Sequence, residues 1–196
     1  YSSGKMASAL AAALFLKGAD VNLVSTRRES DLPAVMRTTD VESSSEMFEQ
    51  VNGSIRTATQ THQEIQKSPY LFMAAAVSDY VPANAQEGKM KKEKIGERWP
   101  LELEENIDIL KNLNKEGINT VAFKAEMDSE TAVKNASAMI DKKDVDAVCL
   151  NLLKDSSSFG TTDNQIDFIT AKEVISLPRE DKLSLALRIL EKAKEL

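Results

Sequence analysis

Residues 70–94 read YLFMAAAVSDYVPANAQEGKMKKEK. The run from Tyr70 to Val77 is a buried strand, rich in residues that favour one, and it narrows to three alanines. One carboxylate follows at Asp79, a turn at Pro82, and then four lysines at 89, 91, 92 and 94. A strand that delivers a small-residue platform, an acid and a cationic arm, in that order, suits a polyanion carrying a flat ring.

Outward from this strand the chain alternates. MASALAAALFLKG (6–18) is a strong helix former that Ser2 or Ser3 would cap and Gly18 would end. It is apolar almost all round, which predicts burial between other elements. VNLVST (21–26) is a buried strand, and VMRTTDV (35–41) a second extended run. Ser43–Ser45 cap a helix that runs to Gln66, with a break expected near Asn52-Gly53. After the central stretch come a short helix in NIDILKNLNKEG (106–117), capped at Asn106, and a strand in INTVAFKAE (118–126). A helix over 129–143, strands in DAVCLNLL (146–153) and QIDFIT (165–170), and a final helix from about Pro178 complete the pattern. Alternating strands and helices call for an α/β fold with a mainly parallel sheet. A helix at residue 6 followed by a strand implies a βαβ unit whose first strand would precede Tyr1. Residues 80–105 stand apart: they are charge-rich, and WPLELEE (99–105) alternates like a half-exposed strand. The segment reads as an arm that leaves the sheet.

Composition narrows the chemistry. Of 196 residues, 42% are hydrophobic and 29% charged, ordinary for a soluble domain, and the net charge of −6 argues against general nucleic-acid binding. Cys149 is the one cysteine, so no disulfide framework or cysteine metal cluster can form; its strand-like run makes it core. His62 is the one histidine, in a polar helical run, which leaves histidine-based nucleophilic catalysis without a candidate. No apolar run is long enough to span a membrane, and the chain reads as cytoplasmic.

In doubly wound sheets ligands bind at the carboxyl ends of the strands. Those ends present Ala75, Ala76 and Asp79; Phe123, Lys124 and Glu126; and Asn151. Ser2, Ser3, Gly4 and Lys5 add a helix start with free N–H groups, a natural anion site. Alanines let a ring approach the backbone, Phe123 can stack on it, Asp79 can accept from ribose hydroxyls, and Lys89 can reach phosphates. These converge on a nucleoside triphosphate. Arg27 and Arg28, at the end of the second predicted strand, leave open an NADP-binding reductase-like module, although the glycine fingerprint is absent. A non-catalytic dimerisation domain is the third reading.

SSGKM (2–6), GADVNLVS (18–25), AAAVSDY (74–80), KMKK (89–92), NIDIL (106–110), FKAE (123–126) and SFGTTDNQ (158–165), in this order and spacing, resemble phosphopantothenate–cysteine ligase. This enzyme of coenzyme A biosynthesis is also called phosphopantothenoylcysteine synthetase. The resemblance covers nearly all of residues 1–196. It implies a Rossmann-like sheet with helices on both faces and a protruding dimerisation arm at about 80–105. It also implies a homodimer, often fused in bacteria behind a flavin-dependent decarboxylase, with no flavin in this part. The implied reaction joins 4′-phosphopantothenate to L-cysteine with CTP, through an acyl-cytidylate, releasing pyrophosphate and CMP, with Mg²⁺ accompanying the triphosphate. On that resemblance Ala75, Ala76 and Phe123 would face cytosine and Asp79 the ribose. Ile107, Asp108, Ile109, Leu110 and Lys143 would border the nucleotide. Ser2, Ser3 and Gly4 would meet phosphate, and Lys89 would be the catalytic cation. The chain departs from the family pattern at Ala7 (usually Gly), Ile107 (usually Pro), Lys124 (usually Ala) and Met139 (Lys in some members). The asparagine of the Asn-x-Ser-Ser-Gly pattern would precede Tyr1.

Overall fold

The computed structural model describes residues 3–27, 32–65, 67–85, 88, 98–153 and 163–196. Its first half comprises α1 (Lys5–Leu16), β1 (Asn22–Ser25), β2 (Arg37–Asp40), α2 (Ser44–Ile65), β3 (Tyr70–Met73), β4 (Tyr80–Pro82) and β5 (Leu103–Glu105). There follow α3 (Ile109–Asn112), β6 (Asn119–Glu126), α4 (Ala132–Lys143), β7 (Ala147–Leu152) and β8 (Asp163–Asn164). β9 (Asp167–Thr170), β10 (Val174–Ser176), β11 (Glu180–Asp181) and α5 (Lys182–Ala193) end the chain.

The main sheet has the order β10-β9-β7-β6-β3. β3, β6 and β7 are parallel neighbours; β9 runs antiparallel to both β7 and β10. The α/β class is as read from the sequence, but the sheet is mixed. β9 returns antiparallel beside β7, and a tight β9–β10 hairpin completes this edge; Thr170 Oγ1 closes its turn by accepting from the amides of Lys172 and Glu173. β1 and β2 form a separate parallel pair, and β4 and β5 a separate antiparallel ribbon.

Strand alternation divides the core into two layers. On β6 and β7, Ala122, Val148 and Leu150 face one side, against Met47, Val51 and Ile55 of α2, Ile109 and Leu110 of α3, and Ala132 and Ala136 of α4. Val121, Ala147 and Cys149 face the other, against Leu10 and Ala13 of α1 and Leu185, Ala186 and Ile189 of α5. Helices therefore cover both faces. Cys149 is wholly buried, and burial pushes its thiol far above its ordinary value, so it serves as a neutral core side chain. α1 also touches the β1–β2 layer through Ala11, which meets Leu23 and Met36; this second contact explains its nearly all-round apolar surface.

Several boundaries differ from the sequence reading. α2 continues through Asn52-Gly53, because burial of its apolar stripe outweighs the low helix propensity of those two residues. α1 is entered through Gly4, left-handed at φ 76°, with no side-chain cap, so the cap expected from Ser3 is not made. α3 is capped by Asp108, which accepts from the Lys111 amide, not by Asn106. α4 starts at Ala132, and α5 starts at Lys182 with Asp181 as its cap. Of WPLELEE only Leu103–Glu105 is strand, and all three residues are exposed.

One buried cation holds the segment between α3 and β6. Lys115 is 8% exposed, and its ammonium donates to the carbonyls of Leu110 (2.8 Å) and Leu113 (3.2 Å) at the end of α3. Asp144, in the left-handed conformation at the end of α4, lies 3.9 Å away. Helix ends leave such carbonyls without intrahelical partners, and this amine takes two of them. Lys115→Met keeps the apolar stem but strands both carbonyls, so it should lower unfolding free energy by about 1–3 kcal/mol. Urea denaturation monitored by circular dichroism would measure the loss; an unchanged midpoint would show that water replaces the amine at no cost.

Candidate functional site

β3 and β6 pair in parallel, with Met73 opposite Ala122, so their carboxyl ends open on the same edge. Beyond Met73 the chain leaves the sheet as an extended loop, residues 74–79, and then enters β4. Next to it β6 continues past its last rung with β3, and Phe123 is the first residue beyond that rung. Between them lies a cavity of about 390 Å³. Met73, Ala75 and Val77 line it from the first segment, Phe123 from the second, and Ile109 and Leu110 from α3. Polar groups rim it: Ser78, Asp79, Tyr80, Glu105, Asn106, Asp108 and Lys143. An apolar slot with a few convergent polar groups is the usual form of a small-molecule site.

Of the residues expected at a nucleotide site, the cavity brings together Ala75, Asp79, Ile107, Asp108, Ile109, Leu110, Phe123 and Lys143. Ala76 follows Ala75 on the same loop but is not among the lining residues. Ser3 and Gly4 also lie off the wall. Gly4 sits directly against the Arg27 carbonyl, which places the start of α1 beside the end of β1. Ser25 Oγ donates to that same carbonyl and accepts from the Arg27 amide at 3.1 Å, so the turn after β1 is braced locally. Ser2, Lys89 and Arg28 lie outside the described residues. Lys124 is not among the lining residues and pairs with Glu126 at 3.0 Å.

The cavity also contains residues that reading strand ends did not select. Met139 and Lys143 are one helical turn apart on α4, and both line it. Tyr80 and Glu105 are opposite partners in the β4–β5 ribbon. Asn106, whose place in the sequence suggested only a cap, stands between the two strand ends. The period-two pattern of WPLELEE hinted at the ribbon; nothing in the local sequence marked its first rung as a cavity wall.

Electrostatics centre on Asp108 and Lys143, which form an ion pair and a hydrogen bond. Asp108 is held by its capping of α3, where it accepts from the Lys111 amide at 3.2 Å; Lys143 ends α4. Burial pushes the Asp108 carboxyl up. The hydrogen bonds from Lys143 and the Lys111 amide, together with the charges of both lysines, outweigh burial and hold it below its ordinary value. A second depression of about 350 Å³ adjoins the cavity, sharing residues 105–108 and adding Lys111 and Asn112. Because the folded Asp108 carboxyl titrates below the unfolded one, its stabilisation is complete above about pH 4 and fades as pH falls through the folded value. Asp108→Asn keeps a capping side chain and should flatten the acid limb of a melting-temperature profile between pH 2 and about pH 4; an unchanged limb would remove the pair from the acid response.

The whole chain, residues 1–196, matches the family described as DNA/pantothenate metabolism flavoprotein C-terminal domain. Over 200 residues it is 30% identical to the coenzyme A biosynthesis bifunctional protein CoaBC of Vibrio vulnificus strain YJ016, covering 100% of this chain and 47% of that one. It is 34% identical over 196 residues to CoaBC of Vibrio cholerae serotype O1, covering 97% of this chain and 46% of the relative. The chain thus spans about half the length of these relatives. The crystal structure of the C-terminal domain of CoaBC superposes on it with a TM-score of 0.73 at 27% identity, covering 100% of this chain and 83% of that one. A full-length family match, a shared fold and a cavity at the carboxyl edge agree: the chain belongs to the DNA/pantothenate metabolism flavoprotein C-terminal domain family.

Proposed function

We propose that the chain is a phosphopantothenate–cysteine ligase domain acting in coenzyme A biosynthesis, with CTP as its nucleotide. What carries the reading is one arrangement on a chain matched along its full length. Phe123, Ala75, Asp79 and Lys143 meet in a single cavity at the carboxyl edge of the parallel strands. The slot between Ala75 and Phe123 takes the flat cytosine, with backbone groups reading its edge. Asp79 accepts from the ribose hydroxyls. Lys143 has three ammonium protons, so its bond to Asp108 leaves donors for the nucleotide. Lys89 and the Ser2-Ser3-Gly4 start of α1 supply the remaining phosphate contacts.

The reaction follows from these roles. A carboxylate oxygen of 4′-phosphopantothenate attacks the α-phosphorus of CTP, the bond to the β-phosphate oxygen breaks, and pyrophosphate leaves. The result is an acyl-cytidylate. The cysteine amine then attacks the acyl carbon and loses a proton as the C–N bond forms. The bond from the acyl carbon to the bridging oxygen breaks, and CMP departs with that bridging oxygen. Charge accumulates on the phosphates in the first step, where Lys89 stabilises it. Asp79 and Glu105 offer carboxylate oxygens, the donor type that Mg²⁺ takes, at the cavity rim. When bound with the triphosphate, the ion supplies charge neutralisation.

A homodimer fits the same reading. Tyr80, Trp99, Leu101 and Leu103 are exposed apolar side chains on and beside the ribbon, of the kind that marks an interaction surface when clustered. The bifunctional character of the CoaBC relatives, which are about twice as long, supports an upstream decarboxylase domain consuming the product. A cytoplasmic location accords with this metabolism; no described helix is long and apolar enough to cross a membrane.

With CTP, the protein should release pyrophosphate and CMP only when both 4′-phosphopantothenate and cysteine are present. Turnover with ATP but not CTP would overturn the choice of nucleotide, and no turnover with either would overturn the ligase reading. Lys89→Ala should slow acyl-cytidylate formation by about 100-fold or more, read as single-turnover pyrophosphate release. Lys143→Ala should weaken CTP binding roughly tenfold, read by calorimetry; equal affinities would detach Lys143 from the nucleotide.

A further inference from the structure

We infer that Asn106 is a positioning residue that fixes Asp79 and the 74–79 loop against the cavity, an inference that rests on the nucleotide reading of the site. Asn106 is half-buried, and both ends of its side-chain amide are engaged. Its Oδ1 accepts from Ser44 Oγ at 2.7 Å, at the start of α2, and from the amide of Ile107 at 2.8 Å. Its Nδ2 donates to the carbonyl of Ser78 at 2.8 Å. Its own backbone amide donates to the carbonyl of Asp79, also at 2.8 Å. One residue therefore holds two consecutive carbonyls of the loop that carries Asp79, the amide leading into Asp108, and the helix that roofs one face of the core.

The partners decide the chemistry required. A backbone N–H can only donate and a carbonyl can only accept, so the atom facing Ile107 must be oxygen and the atom facing Ser78 must be nitrogen. Only a side-chain amide offers both at this reach. Aspartate would keep the Ser44 and Ile107 bonds while setting negative charge against the Ser78 carbonyl. Alanine would lose every side-chain bond and keep only the backbone link to Asp79.

The loop needs such a tether because it has few ladder bonds of its own. Residues 74–78 belong to no strand, and the nearest rung, Tyr80 with Glu105, begins only after Asp79. Ser78 Oγ donates forward to the Tyr80 carbonyl at 2.8 Å, which shapes the turn but does not anchor it to another element. The Asn106 bonds are the described side-chain link between this loop and the rest of the site. Without them Asp79 would sample several positions, and the ordering cost would fall on nucleotide binding.

The experiment compares wild type, Asn106→Asp, Asn106→Ala, Ser44→Ala, Asp79→Ala and the Asn106→Ala/Asp79→Ala double variant. CTP affinity is read by calorimetry, and amide exchange of residues 74–80 by mass spectrometry without ligand. Asn106→Asp and Asn106→Ala should weaken CTP about tenfold, raise the KM for CTP and leave the KM for cysteine unchanged. Both should lose protection over 74–80. Ser44→Ala should keep CTP affinity, because the loop tether survives. The double variant should bind no more weakly than Asp79→Ala alone, since Asn106 acts through Asp79; coupling of this kind is what a double-mutant cycle isolates. Additive losses, or unchanged exchange in folded Asn106 variants, would overturn the proposal. If wild type itself fails to bind CTP, the nucleotide reading falls, while exchange of the loop still decides the tether.

Discussion

The parallel pairing of β3 with β6 is the constraint on which the site depends. Parallel neighbours must both end on the same edge, and each must then leave the sheet by a separate route. β3 leaves through the extended 74–79 loop into the ribbon; β6 leaves through Met127 and Asp128 into α4. The two exits diverge and open the cavity. β7 ends on the same edge, but β9 returns antiparallel beside it. The opening thus lies at the β3–β6 side of the sheet, away from the antiparallel strands.

The short α3 turns that opening into a shaped site. Its four residues have too few internal hydrogen bonds to hold a helix alone. Asp108 closes its start, and Lys115 takes carbonyls at its end. Ile109 and Leu110 anchor it to the core shared with α2 and α4. The same Asp108 binds Lys143 at the tip of α4, so the cap and the site's cation are joined in one ion pair. A cation held this way is positioned before any ligand arrives, which lowers the ordering cost of binding.

Much of this was legible in the sequence. The AAAVSD run marks the platform and the acid, but it reads as strand to Val77, whereas β3 ends at Met73. The alanines stand in the loop beyond it, with Ala75 on the cavity wall. The alternation of strands and helices gave the α/β class. Phe123 and Asp79 stand at predicted strand ends, and Lys143 comes from the family resemblance; all three line the cavity. Other features were not legible because they depend on distant partners. Asn106 reads locally as a helix cap; its partners Ser44 and Ser78 are far away along the chain. The antiparallel edge was missed because QIDFIT looks the same whichever way it runs. Asn52-Gly53 suggested a break that burial of Met47, Val51 and Ile55 prevents. The Lys124–Glu126 pair, too, is a matter of strand facing, since alternate residues of β6 share a side.

The ribbon and the cavity are one mechanical unit. β4 and β5 pair through Tyr80 with Glu105 and Pro82 with Leu103, and Ala83 extends the ladder by donating to the Glu102 carbonyl at 3.0 Å. Tyr80 and Glu105, the rung nearest the sheet, are also cavity wall. The next link inward is the Asn106 amide on the Asp79 carbonyl. Proceeding from the ribbon to the sheet, one meets an exposed apolar surface, then the rim of the site, then the acid proposed for the ribose. Lys89 lies in sequence between the two strands of this ribbon. A partner seated on Tyr80, Trp99 and Leu103 would therefore load the same hydrogen-bonded ladder that holds Asp79 in place. Assembly and nucleotide capture would then draw on one set of backbone bonds.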